Sequence, residues 1–450
     1  MEDQRQESQE SQEPTTSGYK LPPWRKWLIL FIVSWMTLVV TFSSTSLLPA
    51  APNIASDLAT TSEAIDITNA GVLLAMGFSS VLWSPVADLF GRRTAYNAAI
   101  FVLLVCTVGA ALAVDMAMFT VFRILGGFTG TFFMVAGQTI LADIFEPLVR
   151  GTAVGCFMVG SVSGPAIGPC IGGIIVTFAH WRIIFWLQVG MTALGLSLSL
   201  LFVPTIQQSK TGKETPSSVL AMFNPMRILR QMIYPNVLFA YLTCGLLAFF
   251  QYAILTSARS IFNPRFHLST ALVSGLFYLA PGSGFLVGSV VGGRLSDRAV
   301  RKWILRRNGV RLPQDRLNSG LLTLFLVLPV ATLIFGWTLE EEVGGMPVPI
   351  ISAFFAGVGL MGSFNGLNTY AAGTSIILLL LLSMLILMLL LEVRPHQRSE
   401  VIAGKYIVQY IFGAASSAAV VPMIDSIGVG LTFTIGGFLS LSLSLSLSRC

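Results

Sequence analysis

Charge is scarce in this chain. Only 11% of its 450 residues are Asp, Glu, Lys or Arg, against about 25% in an ordinary soluble domain. With hydrophobic residues at 54%, that scarcity excludes a soluble fold, because no soluble core of this length needs so many apolar residues. Histidine (3) and cysteine (5) are few as well. Cys106, Cys156, Cys170 and Cys244 lie in apolar runs and read as small buried hydrophobes, so no disulfide framework is expected. His180, His267 and His396 fall near loops without metal-ligand spacing. No His, Asp or Ser cluster supports catalysis. The chain is therefore not read as an enzyme, and neither a metal nor a cofactor is expected. No secretory leader is expected either: the chain opens on MEDQRQESQESQEPTTSG, and residues 1–26 are expected to form a disordered cytosolic tail.

What is present is a series of apolar runs near the ~20 residues needed to cross a bilayer. They fall near 27–49, 66–87, 95–114, 116–141, 151–178 and 183–204, then near 236–258, 270–293, 318–338, 348–372, 401–422 and 427–447. These runs predict an all-α polytopic membrane protein of twelve spans. An N-terminal six-helix bundle (27–204) and a C-terminal one (236–450) flank a cytosolic linker, 205–235, that carries QQSKTGKETPSS. With the N-terminus in the cytosol, all of the 27 Lys and Arg fall on the cytosolic side except Arg123, Arg182, Arg259 and Arg265. Glu340, Glu341 and Glu342 fall outside. This is the asymmetry of the positive-inside rule, and it accounts for the net charge of +6 without nucleic acid.

Two features recur across the halves. SPVADLFGRR (84–93) and GGRLSDRAVRK (292–302) align Asp88 with Asp297, and Arg92 and Arg93 with Arg301 and Lys302. A short inner loop needs a tight turn, which Gly91 permits, while its bases hold it at the cytosolic face. The matched register favours a duplicated architecture. The second feature is a glycine stripe. Gly160, Gly164, Gly168 and Gly172 recur every four residues, as do Gly284, Gly288 and Gly292. Small residues at that spacing let two helix backbones approach closely in lipid. Pro165 and Pro169 are expected to bend the first of these helices, and a bent, smooth helix suits a sliding contact between the halves. Plain tight packing would produce the same stripe.

SPVADLFGRR resembles the major facilitator superfamily loop signature G-x-x-x-D-R-x-G-R-R, with Ser84 and Leu89 departing from it. The second copy keeps Gly293, Asp297 and Arg298 but has Val300 in place of the glycine. The resemblance implies two six-helix bundles around a central cavity. It also implies that Asp88, Gly91, Arg92, Arg93, Gly293, Asp297, Arg298 and Arg301 govern the switch between inward- and outward-facing states. GSVSGPAIGPCIGG matches the fifth-span motif of twelve-span drug:proton antiporters at Gly160, Gly164, Pro165, Gly168, Pro169, Gly172 and Gly173. HWRIIFW, LADIFEPLVRG, YPNVL and SEVIAGKYIVQYIFGAASSAAVVPMID are similar to the fungal branch. That family implies a monomeric transporter in the cell membrane, exporting a secondary metabolite, drug or organic acid against proton entry. Its partners would be a small-molecule substrate, the lipid bilayer and a proton gradient, with no cofactor and no nucleic acid. A proton-coupled importer or uniporter of a small organic nutrient, and a transporter-like receptor or inactive gene product, are the alternatives.

Arg123, inside the fourth span, is the most telling single residue. A charge at the bilayer centre costs about 2.5–3.5 kcal/mol on insertion scales, so it faces a cavity or a partner unless it snorkels to the interface. The family pattern there is R-x-x-Q-G, and Gly126 replaces the glutamine. No carboxylate lies deep in a span, and an anionic substrate would suit a cavity whose clearest charge is Arg123. Gln138, Gln251, Asn365, Asn368, Lys405 and Gln409 are further candidates for substrate or proton coupling, each also explicable as interhelical packing. Two stretches stand apart: GTSIILLLLLSMLILMLLL (373–391) and the terminal LSLSLSLSRC. Translated intron with an altered reading frame would explain both, and an apolar extension of span 10 would explain the first.

Overall fold

The computed structural model describes residues 21–145, 147–203, 225–233, 235–257, 261, 262, 265, 266, 271–306, 320, 322–383, 397–435 and 437. The first half runs through α1 (Pro23–Thr45), α2 (Ala51–Asp57), α3 (Ser62–Phe90), α4 (Arg92–Ala111), α5 (Met116–Gly127), α6 (Gly130–Ile144), α7 (Pro147–Phe178) and α8 (Arg182–Phe202). The second runs through α9 (Pro235–Ser257), α10 (Ala271–Phe277), α11 (Leu279–Arg306), α12 (Leu328–Glu340), α13 (Pro347–Ser383) and α14 (Gln397–Ile427). Among the described residues no strand occurs, and eleven helical segments are long and apolar enough to cross a membrane. The twelfth expected span, 427–447, lies largely outside them, although 429–435 is helical.

Packing repeats across the halves. The first helix of each, α1 and α9, packs on α7 and α14 respectively, while α3 packs on α5 and α6 as α11 packs on α13. The halves meet where α3 lies on α14 and where α7 lies on α10 and α11. In lipid, helices associate by close packing rather than by hydrophobic drive, so glycines decide these contacts. A Cβ on Gly160 would lie 2.5 Å from the Ser34 carbonyl oxygen, and one on Gly164 would lie 2.5 Å from the Phe42 amide nitrogen. On Gly168 it would meet Thr45 Oγ1 at 2.8 Å, and on Gly172 it would strike the Ser46 carbonyl. The stripe therefore packs on α1, in its own half, and is not the sliding contact between halves that the sequence suggested. A four-residue repeat marks a face without naming the helix it meets.

A different face of α7 makes the contact between halves, and there the glycines belong to the partner helices. A Cβ on Gly282 would lie 2.5 Å from Ala166 Cα, and one on Gly275 would lie 3.1 Å from the Pro169 carbonyl. Gly288 of α11 likewise packs within its own half, where a Cβ would lie 2.6 Å from the Val358 carbonyl of α13. Pro165 and Pro169 sit inside one continuous helix, and Thr45 Oγ1 donates to the Gly164 carbonyl at 3.2 Å.

At one end of the first half, three connections are tied together. Trp181 Nε1 donates to Asp57 Oδ2 at 3.0 Å and Arg182 Nη1 donates to the same oxygen at 2.8 Å. Arg182 Nη2 reaches the Ala113 carbonyl at 3.0 Å. The Trp181 hydrogen bond, with the charges of Arg182 and His180, holds the Asp57 carboxyl below its ordinary value against a partial desolvation that raises it. In the second half, Glu340 Oε2 accepts from the Val429 amide at 2.7 Å, capping the start of the final helical stretch beyond Gly428.

One sequence reading changes here. Cys156 is exposed on α7, although Cys106 and Cys244 are buried as expected. Residues 373–383 continue α13, which is the form an extension of span 10 takes; 384–391 lie outside the described residues. At 1.5 Å per residue, the 37 residues of α13 reach roughly 55 Å, beyond the ~30 Å hydrocarbon core.

Two outcomes are expected. Gly164→Val should destabilise the purified protein by about 1–3 kcal/mol, whereas Gly155→Ala, whose Cβ would have no neighbour within 4 Å, should not; thermal unfolding in detergent checks both. Because the Asp57 carboxyl is depressed, its contribution is complete above its unfolded value, near 4, and is lost as pH falls through the lower folded value. Asp57→Asn should thus be less stable at neutral pH and lose less stability on acidification, as melting curves between pH 3 and about 7 would show.

Candidate functional site

The fourth span has a one-turn break in its α-helical hydrogen bonding. Between α5 and α6 the backbone of Phe128 and Thr129 stays in the right-handed helical region, but the Thr129 amide donates to the Gly126 carbonyl, three residues back, at 3.1 Å. Trp83 Nε1 donates to the Phe128 carbonyl at 3.0 Å, and Thr129 Oγ1 donates to the Gly126 carbonyl at 2.8 Å. Gly127 and Gly130 allow the break to lie against α3: a Cβ on Gly127 would sit 2.8 Å from the Val72 carbonyl. Asp115 caps α5 by accepting from the Met118 amide at 2.7 Å.

This arrangement carries Arg123 inward. It is 6% exposed, so it does not snorkel to the interface. Its Nη1 donates to Ser43 Oγ at 2.8 Å and to the Ser43 carbonyl at 3.0 Å, and its Nη2 reaches Asn69 Oδ1 at 3.3 Å. The guanidinium lies 5.8 Å from the centre of the Phe185 ring. All of these partners are uncharged. Arg123 Nε and Gln188 Nε2 are both buried without a protein partner, and both residues line a small cavity with room for about one water molecule. The cavity's walls, from Val40 through Met76 and Leu103 to Gln188, belong to the first half alone.

A second polar group lies where the halves meet. Gln138 of α6 donates from Nε2 to the Tyr406 hydroxyl of α14 at 3.1 Å. Lys405, 2% exposed, brings its ammonium to 3.7 Å from the centre of the Tyr406 ring. One turn further along α14, the buried Oε1 of Gln409 has no protein partner, and the Tyr410 hydroxyl lies 3.9 Å from Met134 Sδ across the same junction. Tyr252, Tyr406 and Tyr410 all belong to the apolar core that joins the halves. Gln251 is buried on α9. The side chains of Asn365 and Asn368 lie outside the described residues.

The two copies of the acidic–basic motif differ in form. Gly91 takes φ +89° and ψ 147° between α3 and α4, a conformation that costs a side-chain-bearing residue about 1–3 kcal/mol. Just beyond it, Arg93 Nη2 donates to the Leu200 carbonyl at the end of α8 at 2.7 Å, where a helix's negative pole favours a cation. Asp88 and Arg92 make polar interactions as well. In the second copy α11 continues unbroken through Gly293, Asp297, Arg298 and Arg301 to Arg306. That corrects the expected loop: Val300 stands where the turn would need a glycine, so the helix does not end.

Sequence reasoning reached Arg123, Gln138, Lys405 and Gln409. It passed over Ser43, Asn69 and Gln188, whose roles depend on facing Arg123, and Tyr406, which reads in sequence as one more aromatic. A glutamine inside the sixth apolar run was the available signal for Gln188.

A bundle of apolar helices with a repeated packing scheme and a polar junction between its halves is the architecture of a polytopic membrane protein built from repeats. Residues 33–375 match the family model described as Major Facilitator Superfamily, and the chain belongs to that family. It is 26% identical over 447 residues to the efflux pump radE of Floropilus chiversii, covering 94% of this chain and 79% of that one. It is 28% identical over 424 residues to the MFS transporter eqxG of Fusarium heterosporum, covering 93% and 81%. Among solved structures, the human organic anion transporter MFSD10 aligns with a TM-score of 0.68 at 16% identity, over 95% of this chain and all of that one. The proton:xylose symporter XylE aligns with a TM-score of 0.69 at 13% identity, over 96% of each. At such identities these two structures speak for the fold alone.

Gly91→Ala should lower the unfolding free energy by roughly 1–3 kcal/mol, while Gly190→Ala, in a helix with open space at its Cβ position, should hold or raise it. Thermal unfolding of the two variants side by side makes the comparison.

Proposed function

We propose that the chain exports a small organic molecule, such as a secondary metabolite, drug or organic acid, from the cell in exchange for protons, by alternating access. The observation that carries the reading is α7. Gly160, Gly164, Pro165, Gly168, Pro169, Gly172 and Gly173 reproduce the antiporter motif, and the helix they build lies between α1 of its own half and α10 and α11 of the other. Any separation of the halves at this end has to break the contact of Ala166 with Gly282. The relative named as an efflux pump supports the outward direction.

In this scheme substrate binds at the junction of Gln138, Gln251, Lys405 and Gln409, with Asn365 and Asn368 contributing from α13. Arg123 couples binding to the packing of the first half through Ser43 and Asn69. The turn at Asp88, Gly91, Arg92 and Arg93 moves with α8, which Arg93 grips, while Gly293, Asp297, Arg298 and Arg301 act from α11. The protein works as a monomer in the cell membrane with its N-terminus in the cytosol.

Untargeted mass spectrometry of cells and medium, with the gene deleted and restored, tests the direction. Export predicts a compound that builds up inside the deletion strain and falls in its medium. Accumulation outside instead would establish import.

A further inference from the structure

Two donors at one cavity of the first half have no protein acceptor. Arg123 Nε on α5 and Gln188 Nε2 on α8 are buried without a partner, in residues only 6% and 1% exposed. Both residues line the same cavity. A buried N–H is rarely left unmet, so two of them at one place call for a shared acceptor. The rest of the wall narrows what that acceptor is. The hydroxyls of Ser44 and Thr107 already donate to the Thr41 and Leu103 carbonyls, at 2.9 and 2.7 Å. Ser43 Oγ accepts from Arg123 Nη1 at 2.8 Å and has its own proton to give as a third donor. No carboxylate is among the described residues that line this cavity, and Asp66 lines a second small cavity on which Arg123 also borders. The hydrogen-bond and ring partners of Arg123 are all uncharged, so its charge is answered here by no negative group.

Size sets the remaining limit. The cavity has room for about one water-sized species, too little for a carboxylate-bearing metabolite or a sulfate and enough for a monatomic anion. We propose that the cavity shared by Arg123 and Gln188 binds a chloride ion, held by Arg123 Nε, Gln188 Nε2 and the Ser43 hydroxyl, as a resident ion of the first half. The ion ties α1, α5 and α8 together and balances a cation at membrane depth, where an unanswered charge is costly. It is structural rather than cargo, which goes beyond the transport reading and leaves the junction between the halves to substrate. A water molecule would satisfy the same donors without answering the charge, and the test separates the two.

The full chain in nanodiscs of zwitterionic phosphatidylcholine is exchanged into sodium gluconate and titrated with sodium chloride at constant ionic strength, with melting temperature as the readout. Chloride and bromide should raise the melting temperature along a saturating curve, and sulfate at the same ionic strength should not. Gln188→Leu should weaken the apparent chloride Kd about tenfold or more, because a hydrogen bond to a charged group is among the stronger ones. Gln188→Glu, which supplies a fixed carboxylate in place of the ion, should abolish the chloride response. Ser197→Ala, an exposed position on the same helix, should leave it unchanged. No saturable halide response in the unaltered protein would leave the cavity to water and overturn the proposal. An undiminished response in either Gln188 variant would overturn it as well. If Gln188→Leu does not fold, Gln188→Glu and the selectivity for halide over sulfate decide the matter. No substrate or gradient enters this measurement, so its result stands apart from that of the export reading.

Discussion

Close backbone approach in a medium that gives helices no hydrophobic reason to associate is the constraint on which this structure depends. Lipid tails are as apolar as leucine, so a helix pair is held by packing and by the few polar bonds it can make. The α1–α7 contact meets that condition through Gly160, Gly164, Gly168 and Gly172 lying on Ser34, Thr41, Phe42, Thr45 and Ser46. The α11–α13 contact meets it through Gly284 and Gly288 lying on Phe354 and Val358. Within each half the glycines make a fixed frame. Between the halves, α3 lies on α14 and α7 on α10 and α11, with Ala166 on Gly282 and Tyr410 on Gly77. In a rocking transporter the contacts within each half persist while those of this seam exchange.

The placement of charge follows from the same medium. Exposed and half-buried carboxylates gather at helix ends, where Asp57 ties three connections, Asp115 caps α5 and Glu340 caps the last helical stretch. Among the described residues, the buried charged side chains are two cations, Arg123 and Lys405. Arg123 donates its hydrogen bonds to neutral groups in its own half, and so serves that half's packing. Lys405 stands at the seam instead, with its ammonium 3.7 Å from the centre of the Tyr406 ring.

Much of this was legible in sequence, and the limits are physical. Span positions follow from apolar length alone, so the expected fourth span, 116–141, coincides with the membrane segment Met116–Leu141. The break at Phe128 and Thr129 inside it was not legible, because Gly126, Gly127 and Gly130 serve equally for tight packing in an unbroken helix. The duplicated motif was visible as a register of charges. That only the first copy makes a turn turned on a single difference, Gly91 against Val300. The glycine stripe announced a close contact without identifying its partner, and the partner proved to be α1. Gln138 and Lys405 were conspicuous as polar residues in apolar runs, whereas their meeting through Tyr406 joins positions 268 residues apart and leaves no local trace.

The most direct test of two halves exchanging access across their seam is a pair of spin-label distances measured by pulsed electron resonance. One pair, at Glu63 and Glu341, reports the end that carries the Asp57 ties, and the other, at Phe90 and Arg301, reports the end that carries the Gly91 turn. All four side chains are exposed. Between conditions that change the resting state, such as neutral and acidic pH in nanodiscs, one distance should lengthen as the other shortens. Two distances that stay fixed, or that lengthen together, would contradict alternating access in this chain.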